Sequence, residues 1–132
     1  MAANAFNVET AAQDFAGYGR RILLDERTSD FHRGYHIWVE VNGWTLSATW
    51  DRGTYCTGAR GSGGVFPLDS EPSPSSPDAE IGVWPEGGSL IELHDDTVEG
   101  WVSPASFIEA IEAAERDDID GIRAALIRRE IG

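Results

Sequence analysis

A chain of 132 residues with 23 acidic residues, 10 arginines and no lysine carries a net charge of -13. That charge excludes sequence-independent binding to nucleic acid and to anionic membrane surfaces, whose phosphates it repels, and it leaves basic partners open. A single cysteine, Cys56, excludes an internal disulfide, and no apolar run reaches the length of a membrane span. Met1 to Asn7 lacks the regions of a secretory signal, so a cytoplasmic location is expected.

The length suits one domain, residues 1–132. Asn7 is placed to cap a short first helix in which Val8, Ala11, Ala12 and Phe15 share one side, ended by Gly17 or Gly19. Arg20 to Asp25 alternates as a strand, and Glu26 to Gly34 reads as a polar loop carrying Arg27, His32 and Arg33. Tyr35 to Trp50 is the strongest element. Two alternating runs flank Asn42-Gly43, a dipeptide that tolerates the positive φ of a type I′ turn. A two-residue turn pairs Val41 with Trp44, Val39 with Leu46, Ile37 with Ala48 and Tyr35 with Trp50, a face predicted to be core. The other face pairs Glu40 with Thr45, Trp38 with Ser47 and His36 with Thr49.

Thr54 to Thr57 reads as a short strand, Gly58 to Gly64 as a glycine-rich loop and Val65 to Leu68 as an apolar clip. Asp69 to Asp78 is rich in Pro and Ser and is expected to be a surface loop. Ala79 to Trp84 and Ser89 to His94 are predicted as a second hairpin about a turn at Pro85-Glu86-Gly87-Gly88. Trp101 is expected to staple the entry of a helix whose N-cap is Ser103 and whose first residue is Pro104. Phe107, Ile108, Ile111 and Ala114 or Glu115 form its apolar stripe. Asp117 or Asp118 then caps a last helix with Ile119, Ile122, Ala125, Leu126 and Arg129 on one side. The sum is an α+β fold: an antiparallel sheet of two hairpins plus flanking strands, with a C-terminal αα-hairpin packed on one face.

Few residue groups point to chemistry. His94-Asp95-Asp96 offers metal-ligand types without a second cluster, and Cys56 near a histidine lacks the local signature of a nucleophile. An enzyme would have to use one of these two groups; the expectation is no catalytic residue, no metal and no cofactor. The glycine-rich loop lacks both the lysine and the following helix of a phosphate loop. Five tryptophans are many for this length. Trp38 shares the polar face of the hairpin with His36, and Trp84 is placed opposite Ile81 and Val83. The two indoles on one sheet face suit a partner interface or the stacking of a nucleobase, unless the first helix or the glycine-rich segment covers them. His36, Trp38, Arg52, Tyr55 and Arg60 are therefore the candidate small-molecule site, the arginines supplying a grip for an anion. The second candidate surface is acidic. Glu109, Glu112, Glu115, Asp117, Asp118 and Asp120 recur at helix-face spacing, either as a solvated face or as an imitation of nucleic-acid phosphates.

Four stretches carry a resemblance: Trp38-Val39-Glu40-Val41-Asn42-Gly43-Trp44-Thr45-Leu46-Ser47, Arg52-Gly53-Thr54-Tyr55-Cys56, Ala79-Glu80-Ile81-Gly82-Val83-Trp84-Pro85, and Asp96 to Pro104. Together they resemble small accessory proteins of unknown function from phages of GC-rich actinobacteria. The resemblance implies a phage origin and the host cytoplasm, and it identifies no catalytic residue. Small acidic phage proteins of this kind look like inhibitors of host defence, including anti-CRISPR proteins and DNA mimics. The expected function is thus non-enzymatic: an acidic binding protein that blocks a host protein complex with a basic surface, without binding nucleic acid or membrane itself. The alternatives are a sponge for a small nucleotide signal, and a minor virion component or homo-oligomer.

Overall fold

Asn42 and Gly43 take positive φ, 49° and 81°, and close the type I′ turn that their residue types favour. The computed structural model in which this turn is seen describes residues 5–15, 21–27, 34–51, 75–93 and 96–127. In chain order the elements are β1 (Phe6–Asn7), α1 (Ala11–Asp14), β2 (Arg21–Arg27), β3 (Gly34–Val41), β4 (Trp44–Asp51), β5 (Ser75–Ser76), β6 (Ala79–Pro85), β7 (Val98–Val102), α2 (Pro104–Glu115) and α3 (Ile119–Ile127). Five strands form one antiparallel sheet in the order β2-β3-β4-β6-β7, and β1 pairs β5 in a separate two-stranded ladder. The fold is α+β, with the helix pair on one face of the sheet.

The β3–β4 register follows the alternation pair for pair, from Val41 opposite Trp44 to Tyr35 opposite Trp50. Ile37, Val39, Leu46, Ala48 and Trp50 are fully buried, and Phe107, Ile111, Ile122 and Leu126 of the helices join them in one core. Phe6 and Phe15 complete it. Phe6 tilts against Trp50 at 5.8 Å and meets Phe107 edge-on at 5.5 Å, while Phe15 meets Phe107 edge-on at 5.6 Å. Edge-to-face rings bring positive edge to negative face, which adds to their burial. Because α1 delivers Phe15 to this core, it lies on the helix side of the sheet and leaves the second face alone.

Several expectations need correction. The stretch read as a loop from Glu26 contributes Glu26 and Arg27 to β2, because β3 runs on to Gly34 and offers partners for both. Asn7 is not the helix cap: it belongs to β1, and its Oδ1 accepts from the Glu9 N–H, while Thr10 occupies the cap position. Ser75 and Ser76 of the Pro/Ser-rich stretch are not loop, since they pair with Asn7 and Phe6. Residues 69–74, Thr54 to Thr57 and Val65 to Leu68 lie outside the described residues.

The second hairpin has a different return strand. Val98–Val102, not Ser89 to His94, pairs with β6. Both segments reach the same strand edge and divide it. Val98–Val102 takes Ala79 to Gly82, and the Ile91 N–H donates to the Val83 carbonyl at 2.8 Å. β7 also carries one residue more than β6 between Ala79–Val102 and Ile81–Glu99. Trp101 sits in that bulge at φ 51° and is exposed, so it does not staple the helix. Val102 at N′ and Phe107 at N4, both fully buried, hold the staple positions. Ser103 Oγ accepts from the Ser106 N–H at 3.2 Å, the expected cap.

The helix pair is closed by a tight turn. The Asp117 N–H donates to the Ala114 carbonyl and the Asp118 N–H to the Ala113 carbonyl, both at 2.9 Å, with Asp117 at φ 55°. Asp118 Oδ1 then caps α3 through the Gly121 N–H at 2.9 Å. Ile122, Ala125 and Leu126 face the core as read, whereas Ile119 is exposed; Arg129 lies outside the described residues. No described helix is long and apolar enough to cross a membrane.

Candidate functional site

Side chains alternate across strands, so the register that buries the core face sends its neighbours to the second face. There the pairing sets three rows across the sheet: Glu40, Thr45 and Trp84; Trp38, Ser47, Gly82 and Val98; and His36, Thr49 and Glu80. The last two rows, with Trp84 of the first, floor a cleft of about 380 Å³ lined by His36, Trp38, Ser47, Thr49, Glu80, Gly82, Trp84, Gly88, Leu90 and Val98. Its size falls in the range of small-molecule sites.

Each wall has a local cause. His36 and Trp38 are two residues apart on β3, on the same face, and their rings stack at 4.2 Å with a 34° tilt. Trp38 and Trp84 are both half-buried, while His36, Ser47 and Thr49 are buried beneath them. Gly82 makes room for Leu90. A Cβ there would stand 2.8 Å from Leu90 Cδ2 and 3.3 Å from Ser47 Oγ, so only glycine lets Leu90 lie down across the strand. The segment that carries Leu90 is tied at several points. Gly87 turns at φ 75°, the Gly88 N–H reaches the Pro85 carbonyl, Ile91 bonds Val83, and Arg123 Nε donates to the Glu92 carbonyl at 2.8 Å.

The aromatic pair expected on the second face, Trp38 and Trp84, is thus brought together with His36 in one cleft. Arg52, Tyr55 and Arg60, the other members of the expected ligand site, lie outside the described residues, as do Cys56, His94 and Asp95. Ser47, Thr49, Glu80, Gly82, Gly88, Leu90 and Val98 were missed as site residues. The signal for Gly82 was present in the sequence, a glycine inside an alternating strand, which marks a close approach. A second hollow of about 400 Å³ lies at the hairpin tip, lined by Glu40, Asn42, Gly43, Trp44, Thr45 and Glu86 among others. The Trp44 indole there is engaged: Nε1 donates to Asp117 Oδ1 at 2.8 Å, beside a 3.0 Å bond from Asn42 Nδ2 to the Glu115 carbonyl.

The acidic candidates divide by role. Glu112, Glu115 and Asp120 are exposed, and Glu109 is half-buried. Asp117 and Asp118 are exposed but serve structure, one as acceptor for Trp44 and one as a helix cap. Asp120 lies 3.8 Å from Arg123, a surface pair of little energetic weight. Glu99 differs from its acidic neighbours in being buried. Among the described residues no group of three or more His, Cys, Asp or Glu stands where it can hold a metal ion. Comparison with family models, with curated proteins and with solved structures yields no match.

Proposed function

We propose that this chain is a non-enzymatic acidic binding protein that blocks a host defence or nucleic-acid-handling complex by occupying a basic surface. The observation that carries this reading is the set of exposed carboxylates on one helical hairpin, Glu112, Glu115 and Asp120 with Asp117 and Asp118 in the turn between, on a chain of net charge -13. Rigid helices present such charges at fixed spacing, which is what mimicry of a phosphate backbone requires. The test is capture of a partner from host lysate in competition with duplex DNA. A true partner is displaced by DNA, released by about 0.5 M salt, and not retained by a variant with Glu112→Gln, Glu115→Gln and Asp120→Asn. Salt-indifferent capture that survives those changes counts against charge mimicry. Asp117 and Asp118 are left intact in this variant because they hold the turn.

A second reading, small-molecule binding, is favoured by the cleft that unites His36, Trp38 and Trp84. A ligand that binds only the folded state raises the melting temperature, so a thermal-shift panel of nucleotides and small organic compounds separates the two readings. No shift with any member removes the second.

A further inference from the structure

The chemistry of the cleft selects among small molecules. Its described lining holds two indoles, an imidazole stacked on one of them, two hydroxyls and one carboxylate, Glu80. Trp38 stands on β3 and Trp84 on β6 with β4 between them, so their strands are about 10 Å apart and the two residues sit one row apart along the sheet. Ser47 on β4 lies on the floor between the two strands, and beside it the missing Cβ of Gly82 on β6 leaves room that the Leu90 side chain fills. Leu90 closes one side on a segment already pinned by backbone bonds, so the wall exists before any ligand arrives.

An indole face carries the negative side of its quadrupole and attracts cations more strongly than any other side-chain ring. The Glu80 carboxylate adds to that attraction, and the field of a chain of net charge -13 concentrates cations and repels anions. A bare metal ion does not fit, because hard cations need several oxygen ligands converging at once. A multiply methylated ammonium does fit. It has no N–H that demands an acceptor, it spreads its charge over methyl groups, and it loses little hydration on meeting an aromatic wall.

We propose that this cleft binds a free small organic cation with a methylated ammonium head, held between Trp38 and Trp84 and balanced by Glu80. The assignment rests on the second reading above, that the cleft is a ligand site. The test titrates the intact chain with choline and with its uncharged tert-butyl isostere, following tryptophan fluorescence and heat. Choline should bind at least about tenfold more tightly than the isostere. Trp38→Leu and Trp84→Leu should each weaken choline about tenfold, Glu80→Gln should weaken it without changing the isostere, and Trp101→Leu, outside the cleft, should leave both unchanged. Circular dichroism and a thermal melt identify any variant that fails to fold, and Glu80→Gln, which keeps the shape, then carries the test. Equal binding of choline and the isostere overturns the cation assignment and leaves the cleft as a ligand site. No binding of either compound, nor of any member of the thermal-shift panel, by the folded chain overturns both. A peptide bearing trimethylated lysine that binds more than about tenfold tighter than choline replaces the free small molecule with a protein partner.

Discussion

Asp117 occupies a left-handed backbone conformation, φ 55°, at the point where a helix usually ends on glycine. A side chain there costs about 1–2 kcal/mol, and the Trp44 indole N–H bonded to Asp117 Oδ1 at 2.8 Å offsets part of that cost. The two effects can be separated by substitution. Asp117→Ala keeps the backbone cost and loses the bond, and should destabilise by about 1–2 kcal/mol. Asp117→Gly loses the bond but relieves the backbone, and should lie within about 0.5 kcal/mol of the parent. Asp117→Asn keeps an acceptor and a tolerant backbone and should stay close as well. Urea midpoints at constant slope measure all three; equal loss for Ala and Gly would show that the backbone conformation carries no cost. Residue roles of this kind were half legible. A cap for the last helix was readable at Asp117 or Asp118, and Asp118 fills it. The partner of Asp117 was not readable, because it is set by packing between residues 73 apart in the chain.

At the scale of elements, the β3–β4 hairpin was legible down to each cross-strand pair, because alternation and the Asn42-Gly43 turn fix one register together. The same rule failed for β6. Two alternating segments, 89–94 and 97–102, follow it, and a strand edge cannot tell them apart by polarity alone. Tertiary docking chose Val98–Val102, which leads directly into the Ser103 cap. The segment passed over became the cleft wall, so the candidate site was legible in its aromatics and not in Leu90 or Val98. The hairpin turn gives a direct test. Gly43 has φ 81° and a Cβ there would meet nothing within 4 Å, so Gly43→Ala adds conformational cost with no clash. It should lower stability by about 1 kcal/mol in a thermal or urea melt. A loss several times larger would mean that the turn does more than reverse the chain.

For the whole molecule, charge is the dominant property and it was legible from composition. Like charges repel in the compact state, so screening them should stabilise the fold. Raising sodium chloride from about 10 mM to about 500 mM should lift the melting temperature by several degrees, with most of the gain complete once the Debye length falls below about 10 Å. A flat response would place the carboxylates too far apart to repel one another. What those carboxylates contact was not legible, because a solvated helix face and a phosphate mimic use the same residues at the same spacing. The bond between Trp44 and Asp117 has one more consequence, for the order in which the chain is made. The hairpin leaves the ribosome 73 residues before the turn that clamps it. At ordinary elongation rates of about 5–20 residues per second, that is a wait of about 4–15 seconds. Throughout it, Trp44, Leu46 and Trp50 lack the helices that will bury them. Nascent chains therefore pass that interval with an uncovered aromatic sheet face.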